Sequence, residues 1–88
     1  MFRVGQTRTR ALVIDILISR QGKALLEEIY EDFMRYYVVS SDRRDWYTEK
    51  TKRGEPRYNH LVRSILSKLK NEGIVYNFQK GKWSLLVF

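Results

Sequence analysis

Apolar positions in this chain fall into three helix-spaced runs and one alternating pair, separated by polar punctuation. The first run, ALVIDILISR, is almost wholly apolar from Ala11 to Ile18, which predicts a helix buried on more than one side. Thr7 and Thr9 precede it as N-cap candidates, and Gly22 follows it as a C-terminal stop. Lys23 and Ala24 suit a very short strand. Leu25–Tyr36 then reads as a second helix, because Leu26, Ile29, Tyr30 and Phe33 recur at the spacing of one helical face. Glu27, Glu28, Glu31 and Asp32 fall on its other side, toward the N-terminal half, where acids favour the helix dipole. That acidic face repels phosphate and is expected to point away from any nucleic acid.

The third run is PRYNHLVRSILSKLKNE, residues 56–72, with Pro56 suited to a first helical turn and Gly73 placed to stop it. Turned as a helix, Tyr58, Val62, Ile65, Leu66 and Leu69 share one side. His60, Ser64, Ser67 and Asn71 share the opposite side, Arg57, Arg63, Lys68 and Lys70 flank them, and Leu61 sits at the boundary. The alternating pair follows as IVYNFQ-KG-KWSLLV, residues 74–87. A two-residue turn at Lys80-Gly81 sets Phe78 against Trp83, Tyr76 against Leu85 and Ile74 against Val87, all six on the face that covers the helices. Asn77, Gln79, Lys80 and Lys82 are left at the tip or on the outer face.

The segment between the second and third main helices, VVSSDRRDWYTEKTKRGE (38–55), is long for a compact domain. Ser41 fits the cap of a short extra helix through DRRDWY, with Trp46 or Tyr47 pinning it to the core. TEKTKRGE reads as an exposed basic loop, either a functional insertion or a mobile segment. The expected fold is therefore α+β: one small winged helix-turn-helix domain over 1–88, with three main helices, a long insertion at 38–55 and a C-terminal β-hairpin wing.

Charge sharpens this outline. The net charge is +7, but residues 1–40 carry a balance of only +1 and residues 41–88 a balance of +6. The excess lies on the half that holds the third helix and the hairpin, which points to a polyanion, most often nucleic acid. The plainer alternative is a lysine-rich surface kept for solubility. The 43% hydrophobic content argues against wholesale disorder. No apolar run is long enough to span a membrane, the N-terminus lacks the apolar stretch of a signal peptide, and no cysteine is present, so a cytoplasmic protein without disulfides is expected.

Enzyme chemistry finds no foothold in the sequence. It has no glycine-rich phosphate loop, no nucleophile with a histidine partner at a supporting spacing, and no acid followed by Glu-x-Lys of the kind that builds a nuclease site. His60 is the only histidine, so a zinc site would need carboxylates alone beside it. No cofactor, metal or catalytic residue is expected.

The candidate residues are those of a nucleic-acid surface. Base readout is expected from the N-terminal half of the third helix: Arg57, Asn59, His60, Arg63, Ser64 and Ser67. Arginine suits guanine and asparagine suits adenine, although most such bonds go to the backbone. Lys68 flanks the same face, and Lys80 and Lys82 fit a wing on phosphate or in a minor groove. Arg8 and Arg10, beside the first N–H groups of the first helix, are placed to hold a phosphate. Arg53, with Arg43, Arg44, Lys50 and Lys52, forms a second phosphate-binding arm or a soluble loop. Phe78 and Trp83 invite comparison with a base-stacking pair, but the shared core face assigns them to packing.

The stretch GEPRYNHLVRSILSKLKNEGIVYNFQKGKWSL resembles the N-terminal winged-helix domain of Mrr-type restriction endonucleases. The matching positions are Gly54, Pro56, Arg57, Tyr58, Val62, Arg63, Leu69, Gly73, Ile74, Gly81 and Trp83, in about the last third of the chain. The resemblance implies DNA binding in front of a nuclease domain. No nuclease domain lies in these residues, so the expectation is a DNA-binding module or a stand-alone regulator. The partner expected is double-stranded DNA, with the third helix in the major groove and the wing beside it. A protein-interaction adaptor and an RNA-binding winged helix are the rival readings, and the sequence leaves a homodimer open.

Overall fold

A computed structural model of the chain describes residues 4–86. Helix α1 spans Val4–Ser19, strand β1 Lys23–Leu25 and helix α2 Leu26–Phe33. A π-helical turn, Met34–Val38, continues α2, and a short helix α3, Arg44–Thr48, follows. Helix α4 spans Arg57–Asn71, and strands β2 (Val75–Gln79) and β3 (Lys82–Leu85) form the C-terminal hairpin. The sheet is antiparallel in the order β1-β3-β2, so the layout is that of a small winged helix. No helix among the described residues is long and apolar enough to cross a membrane.

Helix α1 already includes residue 4, which overturns the capping role expected of Thr7 and Thr9: both lie inside the helix, and Thr9 is buried. Its C-terminus closes as expected. Gln21 and Gly22 both take positive φ, and the Gly22 N–H donates to the Leu17 carbonyl at 2.7 Å. That reversal feeds β1, whose pairing with β3 completes the sheet.

Helix α2 buries Ile29 and Phe33 as its periodicity predicts, with Leu26 and Tyr30 partly buried on the same face. Asp32 does not share the exposed acidic side. It is buried, and its carboxylate accepts two bonds from Arg20, from Nε at 2.7 Å and from Nη2 at 3.0 Å. This contact, with Asp32 first among its causes, raises the Arg20 pKa above its usual value. After Phe33 the turn widens, and the Val39 N–H reaches back five residues to Met34 at 3.0 Å. The extra residue brings Val38 under the core, where it is fully buried.

The 38–55 segment is held by rings. Tyr37 lies 5.4 Å from Phe33 and 5.5 Å from Tyr47, and Tyr47 meets Trp46 at 5.1 Å. Phe33 also stacks with Tyr58 of α4 at 6.4 Å. This chain of contacts ties α2, α3 and α4 into one core. Of the two anchors expected, Tyr47 is buried and Trp46 stays exposed. Burial, then the hydrogen bond to Tyr37, pushes the Tyr47 hydroxyl up to about 12. Ser41 does not cap α3 as expected: the N-cap is Arg43, with no side-chain cap bond, and the Ser41 Oγ instead accepts the Arg43 N–H at 3.0 Å in the turn before the helix.

The hairpin keeps its Lys80-Gly81 turn, with Gly81 at φ 74°, but its register differs from expectation. Val75 pairs with Leu85, Tyr76 with Ser84 and Asn77 with Trp83, and a bulge at Phe78 restores Gln79 opposite Lys82. Val75, Trp83 and Leu85 therefore face the core, while Tyr76 and Phe78 face out. The expected pair of Ile74 with Val87 lies partly outside the described residues.

Candidate nucleic-acid interface

Helix α4 starts after Pro56, which stands at the N-cap in extended conformation, ψ 149°, where its missing N–H costs nothing. Val62, Ile65, Leu66 and Leu69 are buried. His60, Ser67, Lys68, Lys70 and Asn71 are exposed, and Ser64 is half-buried between them. The polar strip with cations at its edge is therefore present as the periodicity predicts.

Residues 49–56 fold back against the start of this helix instead of hanging loose. Lys50 and Pro56 form an antiparallel bridge, the Thr51 N–H donates to the Glu55 carbonyl at 2.8 Å, and the Gly54 N–H, at φ 81°, donates to Thr51 at 2.9 Å. The fold-back builds two adjoining hollows. One, of about 540 Å³, is lined by Thr51, Lys52, Arg53, Glu55, His60 and Arg63. The other, of about 310 Å³, is lined by Trp46, Thr51, Arg57, His60, Leu61 and Ser64. They share Thr51 and His60, so one groove runs between the loop and the polar strip.

The two arginines with the strongest sequence case are committed to the protein itself. Arg57 donates to Glu49 Oε1 from Nε at 2.9 Å and from Nη2, and its guanidinium lies 5.1 Å from the Trp46 ring. Arg43 stacks on the same ring at 4.9 Å. Arg63 grips both oxygens of Glu55 and donates to the Tyr30 hydroxyl at 3.1 Å. That grip raises the Arg63 pKa above its usual value and, as the largest cause, holds the Glu55 carboxyl below the usual range. Both arginines thus fasten the 49–55 loop to α4 through carboxylates, Arg57 with two nitrogens on one Glu49 oxygen and Arg63 in the two-oxygen fork that also suits phosphate.

Other expected residues are redistributed. Asn59 is half-buried with its Oδ1 enclosed and unpartnered, so it does not stand on the exposed strip. Arg10 pairs with Glu72 at the far end of α4, and its Nε is enclosed. Arg8 is exposed, but both residues lie beyond the first turn of α1, so the phosphate cradle of helix-start N–H groups expected there is not formed by them. Lys80 is exposed and Lys82 half-buried at a turn that does not project: the Leu26 N–H donates to the Gly81 carbonyl at 2.7 Å, which docks the turn on the start of α2.

Lys52 and Arg53 at the groove and Lys68 and Lys70 on α4 make no ion pair among the described residues and so are available to an anion. Sequence reasoning placed Arg53 among the candidates but left Lys52 as part of an ambiguous loop, and it missed Thr51 and Trp46 as groove walls. The signal was the charge run KTKR before a helix-opening proline; its position over the helix depends on ion pairs the sequence does not display. Comparison with protein-family models, curated proteins and solved structures returns no match for this chain.

Proposed function

We propose that this chain binds double-stranded DNA without catalysing a reaction on it, and that it does so in the cytoplasm as a transcription regulator or as the DNA-binding module of a restriction-type system. The observation that carries this reading is the groove between the 50–55 loop and α4. Its floor offers His60 and Ser64, and its rim offers the unpaired cations Lys52 and Arg53. Hydrogen-bonding groups between cations match bases between phosphates. Ser67 and Lys68 continue the strip along the helix. The resemblance of residues 54–85 to the Mrr-type N-terminal domain supports the same partner.

In this reading Arg57 and Arg63 position the loop, and Lys52, Arg53 and Lys68 meet the backbone. The exposed strip of α4 carries cations and small polar groups instead of a broad apolar patch, which favours DNA over a protein partner. Fluorescence anisotropy of a labelled random-sequence duplex, titrated at several salt concentrations, tests the proposal. Wild type should bind at low salt with a steep salt dependence. The Lys52→Ala/Arg53→Ala variant should bind more weakly with a shallower slope. Absence of binding at low salt, or an unchanged variant, would refute it.

A further inference from the structure

The bulge in β2 creates a surface that alternation alone hides. Tyr76 and Phe78 stand on the outer face of the sheet, 39% and 41% exposed, with ring centroids 6.1 Å apart and planes at 59°. Asn77 holds them there: its Nδ2 donates to the carbonyls of Gln79 and Lys82, each at 2.8 Å, and so closes the bulge. The Lys23 Nζ lies 5.8 Å from the Phe78 ring. The register sets Lys23, Leu25, Tyr76, Lys82 and Ser84 on this face with Phe78, and none of these positions is acidic.

We propose that this outer sheet face binds single-stranded nucleic acid, with successive bases on Tyr76 and Phe78 and their phosphates on Lys23 and Lys82. Bases stack on exposed aromatic rings irrespective of sequence, and lysines beside the rings track the backbone. The Lys23 ammonium over Phe78 is only weakly held at so exposed a ring and swings to a phosphate when a base arrives. An apolar protein surface would instead bury these lysines without partners, which is unfavourable. The face shares no residue with the α4 groove, so it stands independently of the duplex reading.

The test is an anisotropy titration of a labelled short oligothymidylate at low salt, with the duplex titration run in parallel. Wild type should bind the oligothymidylate. Tyr76→Ala/Phe78→Ala should weaken that binding at least about tenfold, since each base–ring stack lost is a several-fold effect. Tyr76→Trp/Phe78→Trp should restore it, and duplex affinity should change less than about twofold under the same logic. If circular dichroism shows that the alanine pair does not fold, Lys23→Glu/Lys82→Glu decides the matter with the rings in place. A loss there supports the proposal, and unchanged affinity overturns it. Failure of wild type to bind the oligothymidylate, or an equal loss on duplex and single strand, also overturns it.

Discussion

Replacing Asp32 by asparagine removes one charge from the contact that joins the end of α1 to α2 and leaves its volume in place. Asp32 has a side chain 6% exposed and accepts both bonds of a forked guanidinium, at 2.7 and 3.0 Å. Breaking a fully buried ion pair costs about 3–5 kcal/mol. Two features lower that figure here: the Arg20 side chain is 31% exposed, and its Nη1 keeps a second carboxylate, Glu28, at 3.1 Å. The asparagine oxygen also still accepts one bond from the guanidinium, charge-assisted on the donor side alone. The expected loss is therefore about 1–3 kcal/mol, which for a domain of this size lowers Tm by roughly 4–8 °C per kcal/mol. Urea unfolding followed by far-ultraviolet circular dichroism measures it. The loss should persist at high salt, because a pair this close and this enclosed is poorly screened. A loss under about 0.5 kcal/mol, the range of ordinary surface substitutions, would refute the placement of Asp32.

Two further perturbations probe the core that carries the groove. The Tyr47 hydroxyl is pushed up to about 12 from 10.0 by burial and by the Tyr37 hydroxyl, so the unfolded chain ionises first. Its contribution is intact below pH 10 and is lost as the pH rises toward 12, by at most about 3 kcal/mol. Urea midpoints across that window should fall more steeply in wild type than in Tyr47→Phe, and parallel falls would contradict the burial. Leu66→Ala, at a fully buried position of α4, should cost about 2–5 kcal/mol through lost packing and the cavity it leaves. A near-neutral effect by chemical denaturation would mean that this face of α4 is not in the core.

Helix α4 was readable because everything that defines it is local: a proline before it, a glycine after it, and apolar residues at one helical phase. The Lys80-Gly81 turn was readable for the same reason. The strand faces were not, because a single bulged residue moves Tyr76 and Phe78 to the other side while leaving the turn unchanged. Asp32 looked like one more surface acid since its partner, Arg20, belongs to another element. The order of the 38–55 segment rests on ring contacts among Phe33, Tyr37, Tyr47 and Tyr58, spread over three elements. Arg57 and Arg63 read as free cations because Glu49 and Glu55, each eight residues earlier, reach them only once the loop has folded back. The candidate site was thus legible in its helix and misread in its loop, where side chains meet across a turn of irregular backbone.

The salt dependence of duplex affinity, measured for wild type and for Lys52→Ala/Arg53→Ala, bears most directly on the proposed groove. Each phosphate neutralised contributes about 0.9 to the slope of log affinity against log salt. With one phosphate for each of the two cations, the variant slope should be shallower by about 1.8, a loss of roughly sixtyfold at about 0.1 M salt. Equal slopes for the two proteins, or no duplex binding by wild type at low salt, would contradict it.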